Sequence, residues 1–231
     1  MLSNLIASIA NPGSVDIKQV IMSLMLSIPI IFLSLSLHET AHGFVAYKLG
    51  DPTAKNMGRL TLNPLKHIDI FGFLCMLLCG FGWAKPVPIN TRYFKKPKRD
   101  MAITGAAGPI ANLLLACVFA ILWGFTYKFA FANIYNLTAT SVQVINALIM
   151  FFTIGLRINV VFAVFNLIPI PPLDGSRLFL VFAPSKVYWK IMQYEQYIQL
   201  GFMLLLVFGV LDGPINTVSN FVIRIITTIF I

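Results

Sequence analysis

The sequence predicts an all-α polytopic membrane protein with about five transmembrane helices, and three features support this fold class. Hydrophobic residues make up 58% and charged residues 11% of the 231 residues, and the mean hydropathy is +0.84, which is far from the composition of a soluble domain. Several uncharged runs are long enough to cross a bilayer. The net charge of +9 is concentrated in one region, because ten of the 17 lysines and arginines lie between residues 48 and 99.

This basic region lies between the first apolar run and the next long one, and its most basic part spans residues 92–99. A basic loop beside membrane spans marks the cytosolic side and faces anionic lipid headgroups. We therefore expect membrane lipid, and not nucleic acid, to be the partner of the positive charge. The chain is expected to be an integral, multi-pass membrane protein, and its oligomeric state stays open.

The first long helix is predicted from residue 15 to residue 49. Ser14 is a suitable N-cap, and Gly50 begins the stop signal. Residues 20–37 carry no charge and lack the basic flank of a cleaved signal peptide, so this span is expected to stay in the mature chain. At about 1.5 Å per residue the helix is longer than a bilayer core is thick, so it must tilt or protrude.

Residues 51–100 form the least regular part of the sequence. Residues 58–64 are predicted as a short extended segment that ends in a turn, and the prolines of residues 84–90 predict a second one. Between them, the uncharged residues 70–83 are too few for a full span. We expect a re-entrant or β-hairpin-like, membrane-associated segment here.

Two further long spans are predicted at residues 101–132 and 142–168. Gly105 and Gly108 give the first of these a smooth face that lets a neighbouring helix come close. Residues 197–211 predict another helix, and residues 215–231 form a last apolar segment.

The candidate site begins with the run HETAH at residues 38–42, near the end of the first span. His38 and His42 lie four residues apart on one helical face, so both imidazoles can reach one metal ion, with Glu39 beside them as a base. There are plainer alternatives to a metal site: each histidine could be a hydrogen-bonded core residue, and the glutamate could belong to an ion pair or a proton relay. The sequence contains only three histidines, and two of them lie at the spacing of metal ligands. This observation favours the metal site.

A catalytic zinc commonly has three protein ligands and an open fourth position. Asp174 is the preferred third ligand, because this isolated carboxylate lies among prolines and apolar residues. A helix N-cap or an Asx turn at Asp174 is the alternative. His67, beside Asp69, is the rival ligand, although a surface or substrate-contacting histidine is equally compatible with its loop. The three cysteines predict neither a disulfide framework nor a four-thiolate zinc site.

Four motifs together resemble the site-2 protease family, the intramembrane zinc metalloproteases of peptidase family M50. They are HETAH at residues 38–42, GRLTLNPLKH at 58–67, GPIAN at 108–112 and NLIPIPPLDG at 166–175. The resemblance covers residues 20–180 and is closest to the compact bacterial and archaeal members, without the PDZ or cystathionine-synthase-type domain of others. It implies a single membrane-embedded domain over residues 1–231, with a catalytic core at about 20–180 and C-terminal helices at about 190–231.

The resemblance also implies roles for individual residues. Zinc is bound by His38, His42 and Asp174, and Glu39 is the general base. Asn166 contacts the substrate backbone, although an asparagine that caps a broken helix would look the same, and His67 is a further candidate for substrate binding. The implied substrate is a transmembrane protein, and the implied location is a bacterial or archaeal cell membrane with the site toward the cytosol.

Two other functions use the same residues. In a metal-ion or proton transporter, His38, Glu39, His42 and Asp174 would line the pathway. Carriers often contain repeated halves with a broken helix in each, and no such repeat is found in this sequence. A catalytically idle scaffold would have little use for Glu39.

Overall fold

The computed structural model describes residues 17–79 and 84–230, which form helices joined by irregular segments. Between residues 17 and 79 and between 84 and 230, the only β pairing is an antiparallel bridge between Ile68 and Ala84, so the predicted all-α class is confirmed. Two short 3₁₀ turns cover Pro64–Lys66 and Thr91–Tyr93. The α-helices are α1 Ile17–Lys48, α2 Thr53–Asn56, α3 Ile70–Cys79, α4 Pro97–Ala132, α5 Ala139–Asn166, α6 Asp174–Leu180, α7 Ser185–Gln193, α8 Glu195–Val207 and α9 Asp212–Phe230.

Three helices in the described part of the chain, α1, α4 and α5, are long and apolar enough to cross a membrane. Helices α8 and α9 pass the same test only as a pair and meet at a bend of 83°. The number of candidate spans is therefore three, or up to four, and the prediction of about five is not confirmed. The predicted start of the first helix at residue 15 lies outside the described residues.

The start of α4 corrects one prediction. The helix begins at Pro97 and not at residue 101, so the end of the basic run at residues 92–99 is helical and not loop. Proline suits the first helical position because its missing N–H has no partner there in any case. The Asp100 carboxylate accepts the N–H of Lys96 at 2.9 Å, which satisfies a free donor at this helix end.

The core lies where α1, α4, α5 and α9 meet. Ile30, Phe119, Val160 and Ile226 belong to one buried apolar cluster, and Gly155 lets the ring of Phe119 lie directly against α5. Many large apolar side chains are exposed on the outer faces of these helices, which is the pattern expected where lipid replaces water.

Two irregular segments, residues 58–68 and 84–90, are tied to the end of α1 and to each other. The Thr40 hydroxyl donates to the carbonyl of Thr61 at 2.7 Å, and the Asn90 N–H donates to the buried Asp51 carboxylate at 2.6 Å. The Lys85 N–H donates to the carbonyl of His67 at 2.8 Å. The bridge at Ile68 and Ala84 lies beyond the predicted segment 58–64, so the pairing of 58–64 with 84–90 is not found in the described residues. The predicted re-entrant segment 70–83 is described only as far as Cys79.

Candidate active site

Three predicted ligands meet at one point. His38 and His42 lie one turn apart on α1, and Asp174 is the first residue of α6. Asp174 Oδ2 is 3.1 Å from His38 Nε2 and 3.2 Å from His42 Nε2. The two Nε2 atoms are 3.0 Å apart. Gly105 gives room for the start of α6, since an added Cβ at that position would make a tight contact of 3.3 Å with the carbonyl oxygen of Asp174.

The three donor atoms fit a zinc ion. With zinc–ligand bonds of about 2.0–2.1 Å, two ligands of a tetrahedral site lie about 3.3–3.4 Å apart, close to the distances found between these three atoms. The donor set of two imidazoles and one carboxylate is one that zinc prefers, and it leaves a fourth position for water or substrate. This arrangement suits a catalytic site better than a closed structural site.

The ring of His42 is oriented by α4. Its Nδ1 lies 2.7 Å from the carbonyl oxygen of Thr104, and since a carbonyl only accepts, Nδ1 carries the proton. Nε2 then has a free lone pair for a metal. His38 and His42 are each 6% exposed.

Asp174 supplies the negative charge of the ligand group. Its Oδ2 faces the Nε2 atoms of both imidazoles, and a carboxylate binds a metal ion in its ionised form. The N-cap position of α6 is occupied by Leu173, so the alternative prediction of Asp174 as the N-cap is wrong.

Glu39 lies beside the ligands but does not belong to their group. Its Oε2 accepts the Val87 N–H at 2.8 Å, and Oε1 has no hydrogen-bond partner within the described part of the chain. The carboxylate lines a cavity of about 360 Å³, and His38, His42 and Asp174 line it too. The segment 84–90 forms one wall of this cavity through Pro86, Val87 and Ile89.

The two predicted substrate-binding residues lie in different places. Asn166 lines the cavity, and its Nδ2 donates to the carbonyl of Phe162 at 2.9 Å, the contact of a side chain that closes a helix end. His67 is fully buried, and its Nε2 lies 2.7 Å from the carbonyl of Thr61. The interpretation of His67 as a surface residue is therefore wrong.

Two glycines are required by the site in a way that the sequence pattern did not reveal. An added Cβ at Gly108 would overlap the imidazoles of both His38 and His42, and one at Gly175 would overlap the carbonyl of Leu167. The sequence indicated only a smooth helix face at Gly108. The position of Gly108 in the GPIAN motif was the one feature of the sequence that could have indicated its contact with the two imidazoles.

Comparisons with known proteins identify relatives of the chain. The family model of peptidase family M50 matches residues 26–209. A Bacillus subtilis protein that bears the name zinc metalloprotease YwhC is 44% identical over 77% of this chain and 76% of its own length. Proteins named zinc metalloprotease Rip2 are 34% identical in Mycolicibacterium smegmatis and 30% identical in Mycobacterium tuberculosis, each over 62% of this chain and 51% of the relative. No solved structure matches significantly.

Proposed function

The chain belongs to peptidase family M50 and is a zinc metalloprotease, and from this premise we propose that it hydrolyses peptide bonds in or near the transmembrane segments of other membrane proteins. The observation that carries the proposal is the position of the ligands. His38 and His42 lie on a helix that is long and apolar enough to cross a membrane. His38 is ten residues from the end of that helix at Lys48, a distance of about 15 Å, so with Lys48 at the headgroups the bond that is cut lies within the membrane.

The chemistry follows from the residues around the cavity. His38, His42 and Asp174 would hold zinc, which when bound turns water into a nucleophile at neutral pH and polarises the peptide carbonyl. Glu39 takes the proton of the attacking water and passes it to the leaving amine. The Val87 N–H holds Oε2 of Glu39, which leaves Oε1 for the proton.

The substrate must be unwound before it is cut, because a transmembrane helix hides its carbonyls in internal hydrogen bonds. The cavity wall offers replacement partners. Within the described residues, the N–H and carbonyl of Ile89 have no hydrogen bond to another residue, so an extended substrate segment can pair with this wall. Asn166 donates through Nδ2 to its own helix, so its Oδ1 remains to accept a substrate N–H.

The membrane arrangement is part of the proposal. Helices α1, α4 and α5 cross the bilayer, and the bent pair α8 and α9 makes a further crossing. The described part of helix α3 has ten residues, about half the length of a span, and a bridge joins Ile68, before this helix, to Ala84, after it. These features support a re-entrant segment that returns to its starting side. The basic region faces the cytosol of a bacterial or archaeal cell.

The experiment that tests the substrate class uses the purified protein in liposomes with a single-span substrate, and mass spectrometry of the products. We expect cleavage inside or directly beside the apolar segment. Cleavage should be faster when a helix-breaking glycine–proline pair lies in that segment than when the segment is an unbroken leucine helix, the matched control. Cuts confined to the water-exposed flanks of the substrate would contradict the proposal.

A further inference from the structure

A buried cation close to the site has no role in the chemistry described so far. Arg59 is 8% exposed, and in the part of the chain that the structure describes it has no carboxylate partner. Its Nη2 donates to two backbone carbonyls instead, that of Lys85 at 2.8 Å and that of Pro86 at 3.2 Å. A buried charge without an ion-pair partner is unfavourable unless it is hydrogen-bonded. Because the buried Nε of Arg59 has no partner in the described part of the chain, the two carbonyls bound by Nη2 are the contacts that hold this side chain.

The contacts of Arg59 fall on the segment that holds Glu39. Lys85 is fixed on both sides of its backbone, since its N–H donates to the carbonyl of His67 and its carbonyl accepts from Arg59. Two residues later, the Val87 N–H donates to Glu39 Oε2 at 2.8 Å. Pro86 lies between them with a fixed φ angle, so a movement at Lys85 is passed on to Val87.

The far end of the same segment is anchored separately. The Asn90 N–H is bound to the buried Asp51 carboxylate, and this anchor does not involve Arg59. Loss of Arg59 would therefore remove the partner of the Lys85 and Pro86 carbonyls and loosen the end of the cavity wall nearest to Glu39, while the Lys85 N–H stays bound to His67 and the Asn90 end stays in place.

We propose that Arg59 is a positioning residue, which fixes the backbone at Lys85 and Pro86 and thereby holds the Val87 N–H against Glu39. The proposal rests on the proposed role of Glu39 as the base. Arginine suits this position because its guanidinium is delocalised and more weakly hydrated than an ammonium group. Its N–H donors reach two carbonyls at once.

Amide hydrogen exchange gives a readout that needs no substrate. Pro86 and Pro88 have no N–H, so Val87 is the one exchangeable backbone amide of residues 86–88. In full-length protein in detergent, R59M should speed exchange at Val87 by about tenfold or more, while exchange in α1 stays as in the wild type. The exposed Arg92 provides the matched control, because R92M removes the same charge from the same basic region and should leave Val87 exchange unchanged.

Kinetics give the second readout. With zinc content unchanged, R59M should lower kcat by about 10- to 100-fold, the loss expected for a catalytic group displaced by about 1 Å, and R92M should not. R59K keeps one donor for the carbonyls and should recover part of the rate, less than arginine supports, because an ammonium group is more strongly hydrated. If R59M does not fold, R59Q replaces it with the same expected losses.

Wild-type exchange at Val87 together with wild-type kcat in R59M, or an equal effect of R92M, would overturn the proposal. A wild-type protein that cuts no substrate would contradict the proposed proteolysis, while the exchange data would still decide whether Arg59 positions Val87.

Discussion

Gly108 is the single residue whose replacement tests most simply how the ligands are packed. In G108A the added Cβ would overlap the rings of His38 and His42, and such overpacking costs about 1–3 kcal/mol. We expect zinc affinity, measured by competition with a chelator, to fall by about tenfold or more, because metal sites depend strongly on the groups that orient their ligands.

Gly201 provides the control for this substitution. It also lies within a helix, but an added Cβ there would meet nothing within 4 Å. G201A should bind zinc like the wild type and stabilise the helix by up to about 1 kcal/mol. Equal zinc affinity in the two variants would mean that α4 does not hold the imidazoles in place.

The clustering of His38, His42 and Asp174 was predictable because its signals are local. His38 and His42 have helical ligand spacing, and Asp174 is an isolated carboxylate in an apolar setting. The place of His67 was not predictable, because its burial depends on the carbonyl of Thr61 and on the fold of a loop. The contact of Gly108 with both imidazoles depends on the distance between two helices, which no local pattern contains.

At the scale of elements, the segment 58–68 is held on α1 through the carbonyl of Thr61. This carbonyl accepts from Thr40 and lies 2.7 Å from His67 Nε2. In H67L one of these buried partners is lost, and we expect the free energy of unfolding to fall by about 1–3 kcal/mol. Zinc content should stay at the wild-type level.

His42 provides the comparison, because H42L removes a ligand of the group and should lose zinc. If H67L lost zinc to the same extent as H42L, the result would support the alternative prediction that His67 is a zinc ligand. Thermal unfolding in detergent and metal analysis of the purified variants measure both effects.

The long helices were predictable from their apolar length, since α5 at Ala139–Asn166 lies within a few residues of the predicted span at 142–168. The start of α4 was missed because the basic residues before it suggested a loop. Pro97 is the signal that marks this start. The segments predicted as extended form no strand in the described part of the chain, apart from the isolated bridge between Ile68 and Ala84. Pro86 and Pro88 explain why residues 84–90 form no ladder, since neither has an N–H to donate.

At the scale of the whole molecule, the proposed topology predicts which loops each side of the membrane can reach. In a variant without native cysteines, a cysteine at the exposed position Lys95 should react with a membrane-impermeant thiol reagent only from the cytosolic side. A cysteine at Asn136, in the exposed turn between α4 and α5, should react only from the outside. The reverse pattern in intact cells would contradict the topology.

Composition alone predicted a membrane protein, but the number of spans depends on geometry that composition does not contain. Helices α8 and α9 look like two apolar segments in the sequence. In the structure they meet at an angle of 83°, and Gly209 between them has a φ angle of +67°, which glycine adopts without strain. Whether the pair makes one further crossing or a re-entrant loop depends on this turn.

A comparison of the wild type with E39Q on a transmembrane substrate, with zinc content measured in both, tests the role of Glu39 in peptide-bond hydrolysis. The substitution leaves His38, His42 and Asp174 unchanged, so both proteins should hold zinc to the same extent. The wild type should cut the substrate and E39Q should not, because the residue that accepts the proton is gone. Cleavage by E39Q at the wild-type rate, with zinc present in both proteins, would contradict the assignment of Glu39 as the base.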